Sequence, residues 1–126
     1  MNAPDKKPAN FKDLLVWQKG MEIAKLTYEL TRTFPAEERF GIIPQMRRAA
    51  VSIPSNLAEG QARSTTAQFT QFISHAEGSL AELETQVLLS ISLCLCPPPA
   101  AQVLLGHLET ERKMLNGLRR KLWGQS

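Results

Sequence analysis

The residues best suited to hold a metal or attack a substrate are His75, His107, Cys94 and Cys96, and their spacing argues against both roles. A di-iron centre in a helical bundle takes a Glu-x-x-His pair from each of two helices. Here the residue three before His75 is Phe72, and three before His107 is Leu104. Cys94 and Cys96 stand two apart, so on a helix they point to nearly opposite sides, and a disulfide between them is not expected. These four residues cannot be assembled into a zinc site from their spacing. Covalent catalysis needs a nucleophile, a base and an orienting group, and neither histidine sits in such a motif. The glycines are scattered and form no phosphate-cradling loop. No cofactor or metal is expected, and the chain is not read as an enzyme.

Charge carries more information than nucleophiles do. The chain is mildly basic, with a formal net charge of +3 over 126 residues. Residues 64–111 contain no Lys or Arg but include Glu77, Glu82, Glu84, Glu109 and Glu111. Residues 112–126 contain no acid but include Arg112, Lys113, Arg119, Arg120 and Lys121. Two readings stand side by side: the acidic and basic stretches pair within or between subunits, or the basic stretch binds phosphates. Arg47 and Arg48 form a second basic pair. Arg48, Ser52, Ser55 and Glu59 recur at helical spacing as a polar stripe, read first as a network that satisfies the backbone around Pro54 and otherwise as a ligand or RNA contact.

The elements that position these groups read as helices throughout. Residues 1–10 form a polar arm with Pro4 and Pro8. A first helix is expected from about Lys12 to Thr33, with Asn10 as N-cap and a core stripe of Leu14, Trp17, Met21, Ala24, Tyr28 and Thr31, widened by Ile23, Leu26 and Leu30. Phe34-Pro35 ends it, and the connector to Gly41 has room for one helical turn. A second helix begins near Ile43-Pro44, with Met46, Ala49, Ile53, Leu57 and Gly60 inward and a kink expected at Pro54. Thr65 with Gln68 matches the start of a third helix. Its stripe runs Phe69, Phe72, Ile73, Ala76, Leu80, Leu83, Val87 and Leu93, and the Pro97-Pro98-Pro99 run stops it. A fourth helix follows, with a seam of Leu104, Leu108, Glu111, Leu115, Leu118 and Leu122. Glu111 is expected at the margin of that seam. Trp17 is expected in the core, and Trp123 at the bundle end, in a subunit interface or against a base, in that order. No run reads as a strand. The expected fold is an all-α, antiparallel up-and-down four-helix bundle over residues 11–126.

Composition agrees with a single domain: hydrophobic residues are 43 % and charged residues 21 % of the chain. The most apolar run, Val87 to Cys96, is half the length a membrane span needs and is broken by Ser90 and Ser92. The N-terminus lacks the apolar stretch of a signal peptide, so a cytoplasmic location without membrane contact is expected.

A family likeness emerges from these residues. Phe11-Lys12-Asp13-Leu14 with Val16-Trp17-Gln18, Phe34-Pro35, and Gln45 with Arg47-Arg48-Ala49-Ala50 lead into Ser52-Ile53-Pro54-Ser55-Asn56-Leu57-Ala58-Glu59-Gly60. Later come Gly78-Ser79-Leu80, Glu82-Leu83 and Glu84-Thr85-Gln86. Over residues 11–94 this resembles the bacterial four-helix bundle proteins encoded in intervening sequences of large-subunit ribosomal RNA genes. These are similar to the accessory variability proteins of diversity-generating retroelements. The resemblance implies a homo-oligomer, a pentamer by likeness, with a basic surface that binds RNA or DNA and a reverse-transcriptase-like partner. It marks Arg48, Ser52, Pro54, Asn56, Glu59 and Gly60 as signature positions, taken as structural. The triple proline and the cysteines before it depart from the family's glycine-containing turn.

The expected function is therefore a non-catalytic, homo-oligomeric nucleic-acid-binding accessory protein. Its candidate contacts are Arg112, Lys113, Arg119, Arg120, Lys121 and Arg47. The alternative is a scaffolding subunit whose charges serve subunit pairing.

Overall fold

The computed structural model describes residues 10–124. The expected N-terminal arm lies outside the described residues except for Asn10. Four helices build the fold: α1 (Leu15–Thr31), α2 (Ile42–Gln61), α3 (Thr66–Ser92) and α4 (Pro98–Gly124). Single 3-10 turns at Phe11–Asp13 and Ala36–Glu38 precede α1 and α2, and no strand occurs among the described residues. The arrangement is that of a four-helix bundle. α2 makes the most extensive interface, with α3, and then packs on α1; the two interfaces of α4 are smaller.

Local chemistry sets the boundaries. The Asn10 side chain accepts from Lys12 N at 2.9 Å, so it caps the short turn ahead of α1 rather than α1 itself. The Thr65 hydroxyl accepts from Gln68 N at 3.1 Å and starts α3 as the sequence predicts. α3 ends on an unusual residue. Cys94 has φ 58°, the left-handed conformation that glycine adopts most cheaply. Leu95 N donates to Ser90 O at 2.9 Å and Cys94 N to Ile91 O at 3.0 Å. That pair of bonds is the Schellman closure, with cysteine at the position where glycine is the residue of least cost.

The buried face of α1 matches the expected stripe in part. Leu14, Ile23, Ala24, Leu30 and Thr31 are buried as expected and Val16, Gly20 and Thr27 join them, whereas Met21 and Tyr28 are exposed and Trp17 is only half-buried, edge-on to Phe11. Thr27 tolerates burial because its hydroxyl donates to Ile23 O at 2.8 Å. Gly20 marks a close approach: a Cβ there would lie 3.3 Å from the ring Cδ of Pro54. Gly60 is tighter still, at 2.6 Å from the Phe72 Cβ, and lets α2 and α3 close on each other. On α2 the expected residues Met46, Ala49, Ile53, Leu57 and Gly60 are all buried. On α3, Leu93 turns out to be 56 % exposed because it lies past the last turn.

Candidate functional site

The sequence-derived basic patch on α4 is largely engaged within the chain. Arg119 pairs with Glu77 of α3 and donates to the Ser74 hydroxyl at 2.9 Å. Arg112 bonds Glu109, whose carboxyl it holds below the usual range, and Lys113 reaches the same carboxylate at 3.9 Å. Arg120 and Lys121 are exposed and form no ion pair with the described residues. Trp123 beside them is 64 % exposed and does not close the bundle end.

Arg47 belongs to a different surface. Its Nε donates to Thr31 Oγ1 at 2.9 Å, and Thr31 in turn donates to Thr27 O at 2.8 Å. Its guanidinium carbon lies 4.4 Å from the Tyr28 ring centroid. This relay anchors Arg47 at the junction of α1 and α2. Around it opens a cleft of about 520 Å³, with Tyr28, Arg39, Arg47, Arg48 and Val51 in its walls. A second depression of about 430 Å³ shares Tyr28 and Val51 and adds Met21, Lys25, Glu29 and Arg32. Together they form one furrow along the outer α1–α2 face with five cations, Lys25, Arg32, Arg39, Arg47 and Arg48, against one acid, Glu29. Arg39 also stacks on the 88 % exposed Phe40, 5.2 Å from its centroid. Arg32, Arg39 and Arg48 lie within ion-pair distance of no carboxylate among the described residues. Cations interleaved with exposed aromatic and apolar surface suit a phosphate backbone and its bases.

The signature segment is structural at some positions and solvent-facing at others. Ser52 donates to Ala49 O at 2.7 Å, and Asn56 Nδ2 donates to Ser52 O at 2.8 Å, beside buried Pro54. Neither bond reaches the Ala50 carbonyl that Pro54 leaves without its helical donor. Glu59 is exposed and pairs with Arg63 at 3.7 Å, and Arg48 is exposed in the furrow wall. The expected stripe of Arg48, Ser52, Ser55 and Glu59 is therefore not one network.

One polar group lies where none was expected. Glu111 is fully buried, not marginal, and neither carboxylate oxygen has a hydrogen-bond partner. Burial pushes its carboxyl up to about 8, with Lys19 pulling the other way. Lys19 sits nearby on α1, 2.6 Å from His107 Nδ1 and 3.1 Å from Glu22 Oε1. Elsewhere, Cys94 and Cys96 are free thiols. Among the described residues no group of three His, Cys, Asp or Glu is placed to hold a metal ion, and no helix is long and apolar enough to cross a membrane.

Fold and site together define a small helical bundle that carries a cation-lined furrow. The chain belongs to the 23S rRNA-intervening sequence protein family, whose pattern it matches over residues 12–117. No curated protein matches the chain.

Proposed function

We propose that the protein is a non-catalytic nucleic-acid-binding accessory protein that assembles with copies of itself in the cytoplasm and contacts RNA or an RNA/DNA duplex through the α1–α2 furrow. The observation that carries this reading is the set of unpaired cations, Arg32, Arg39 and Arg48, arranged around the Tyr28–Arg47 stack. Contacts of this kind are backbone-led and only weakly sequence-specific. Arg120 and Lys121 form a separate basic spot near the end of α4. The proposed scaffold is an antiparallel up-and-down bundle with α2 bent at Pro54. Support comes from reciprocal register: Thr31 meets Arg47 while Gly20 meets Pro54, Met46 meets Ser90 while Gly60 meets Phe72, and Glu84 shares a depression with Arg112 while Glu77 meets Arg119.

The test is binding of purified protein to labelled structured RNA and duplex DNA over a salt series. Submicromolar binding that weakens steeply with salt is expected, and absence of binding at low salt overturns the reading. A second reading is a scaffolding subunit, and one observation weighs toward it: the Arg119–Glu77 pair takes Arg119 out of the α4 surface that nucleic acid could use. In that case Arg39→Gln with Arg48→Gln would change the sedimentation of the assembly and not its affinity for RNA.

A further inference from the structure

Glu111 stands in the middle of an otherwise leucine seam, flanked by buried Leu108 and Leu115, with both oxygens unpartnered. The charges that face it come from two helices. From α1 Lys19 acts on it directly, with Glu22 behind Lys19; from α4 itself comes His107, one turn earlier. The buried faces of α2 and α3 carry no ionisable side chain, and their polar members are Gln61, Gln86 and Ser90. Lys19 is mostly buried, its side chain 18 % exposed, and is engaged by His107 and Glu22, with no ion pair to Glu111. A second arrangement is therefore available to the same residues, in which Lys19 pairs with Glu111.

α4 is the helix suited to move. Its interfaces with α1 and α3 are the smaller ones in the bundle. Gly106 and Gly117 lie within it against open space, so they weaken the helix without serving close packing. An ionised carboxylate cannot stay in a dry seam without a counter-charge or water, and the charge that acts on Glu111 is Lys19 of α1.

We propose that Glu111 is a proton-operated latch between α1 and α4: protonated, it lies as a neutral member of the leucine seam; once its proton is released to solvent, the carboxylate can no longer stay dry, and the water that enters to solvate it loosens α4 from α1, with Lys19 turning from His107 and Glu22 as a partial counter-charge. The latch closes in acid and opens in mild alkali. The ionisation range set by burial, around neutral to slightly basic pH, makes it responsive where ordinary glutamates are not. α1 also supplies one wall of the basic furrow, so the latch acts on the element that carries Tyr28 and Arg32.

Hydrogen exchange measured from about pH 6 to about pH 9, corrected for the chemical exchange rate, tests this in the intact protein. Protection of α1 and α4 amides is expected to fall about tenfold or more as pH rises, with α2 and α3 retained. Glu111→Gln, which mimics the protonated acid, should abolish the fall. Lys19→Met should move it to higher pH, because the counter-charge is gone. A flat profile in the wild type, the same fall in Glu111→Gln, or an equal fall in all four helices overturns the latch. Should Glu111→Gln fail to fold, carbon-13 titration of the Glu111 carboxyl in the wild type decides: ionisation above about pH 7 upholds the proposal, and ionisation in the ordinary range near 4.5 overturns it.

Discussion

The guanidinium carbon of Arg47 on α2 lies over the Tyr28 ring of α1, 4.4 Å from its centroid, while its Nε donates to Thr31 Oγ1, also on α1. One side chain thus ties two helices by a cation–π contact and a charge-assisted hydrogen bond. Lysine has neither the planar face nor the fork of donors. Arg47→Lys is expected to lower stability by about 1–2 kcal/mol in urea unfolding. Arg48→Gln, one residue on but exposed, should stay within about 0.5 kcal/mol of wild type.

Glu111 makes stability depend on pH in an unusual direction. Its carboxyl ionises near 8 in the folded chain and near 4.5 when unfolded. Between those values the folded state holds the extra proton. Stability is therefore full below about 4.5 and is lost as pH rises through about 8, by an amount on the order of 4 kcal/mol. Glu22, lowered by its bond to Lys19, acts in the opposite sense in acid but is half-exposed and weak. Urea midpoints taken across this range should fall with rising pH. A midpoint that stays level or climbs would show Glu111 ionised in the fold across this range.

Replacing that carboxyl by an apolar group of similar size should help. Glu111→Leu completes the seam between Leu108 and Leu115. It is expected to raise stability at mildly alkaline pH by about 2–4 kcal/mol and to flatten the pH dependence. Thermal unfolding of the two proteins side by side measures both effects.

Cys94 occupies a left-handed position that disfavours any side chain. Cys94→Gly relieves the clash but gives the unfolded chain more freedom. The net gain expected is about 0.5–1 kcal/mol, read from the urea midpoint. Cys94→Val should lose at least as much.

Gly60 faces Phe72 at a distance no Cβ can share. The neighbouring atom is the stem of the phenylalanine, which cannot swing aside. Gly60→Ala should therefore cost about 1–3 kcal/mol through separation of α2 and α3, although alanine is the better helix former. Denaturation of the variant against wild type reveals which effect wins.

Helix number, the Thr65 cap and the inward face of α2 were legible because each rests on local chemistry or a clean apolar period; the end of α3 was not, since it comes at the Cys94 closure ahead of the proline run. The face of α1 was legible only in part, for a physical reason. Its buried row includes Gly20 and Thr27, which carry no hydrophobic signal, while exposed Met21 and Tyr28 sit one position along and do. Reading those two as core concealed the furrow, since Met21, Lys25, Tyr28 and Arg32 recur at helical spacing as a stripe of their own. Arg47 was found from its neighbour Arg48, but Arg39 comes from the connector and joins the cleft only through tertiary structure. On α4, sequence spacing separated bases from acids but could not show that Arg119 reaches Glu77 across the bundle. Glu111 was placed at the margin because an acid in a seam is costly; burial of the uncharged form resolves that cost.

The central claim, that the α1–α2 furrow binds nucleic acid, is tested most directly by comparing two double variants in the same salt series on structured RNA. With Arg39→Gln and Arg48→Gln, affinity should drop and the salt slope should shrink by about one to two phosphate contacts, with sedimentation unchanged. With Arg120→Gln and Lys121→Gln, the change should be smaller. An unaltered slope in the furrow variant, or the larger loss in the α4 variant, would contradict the assignment.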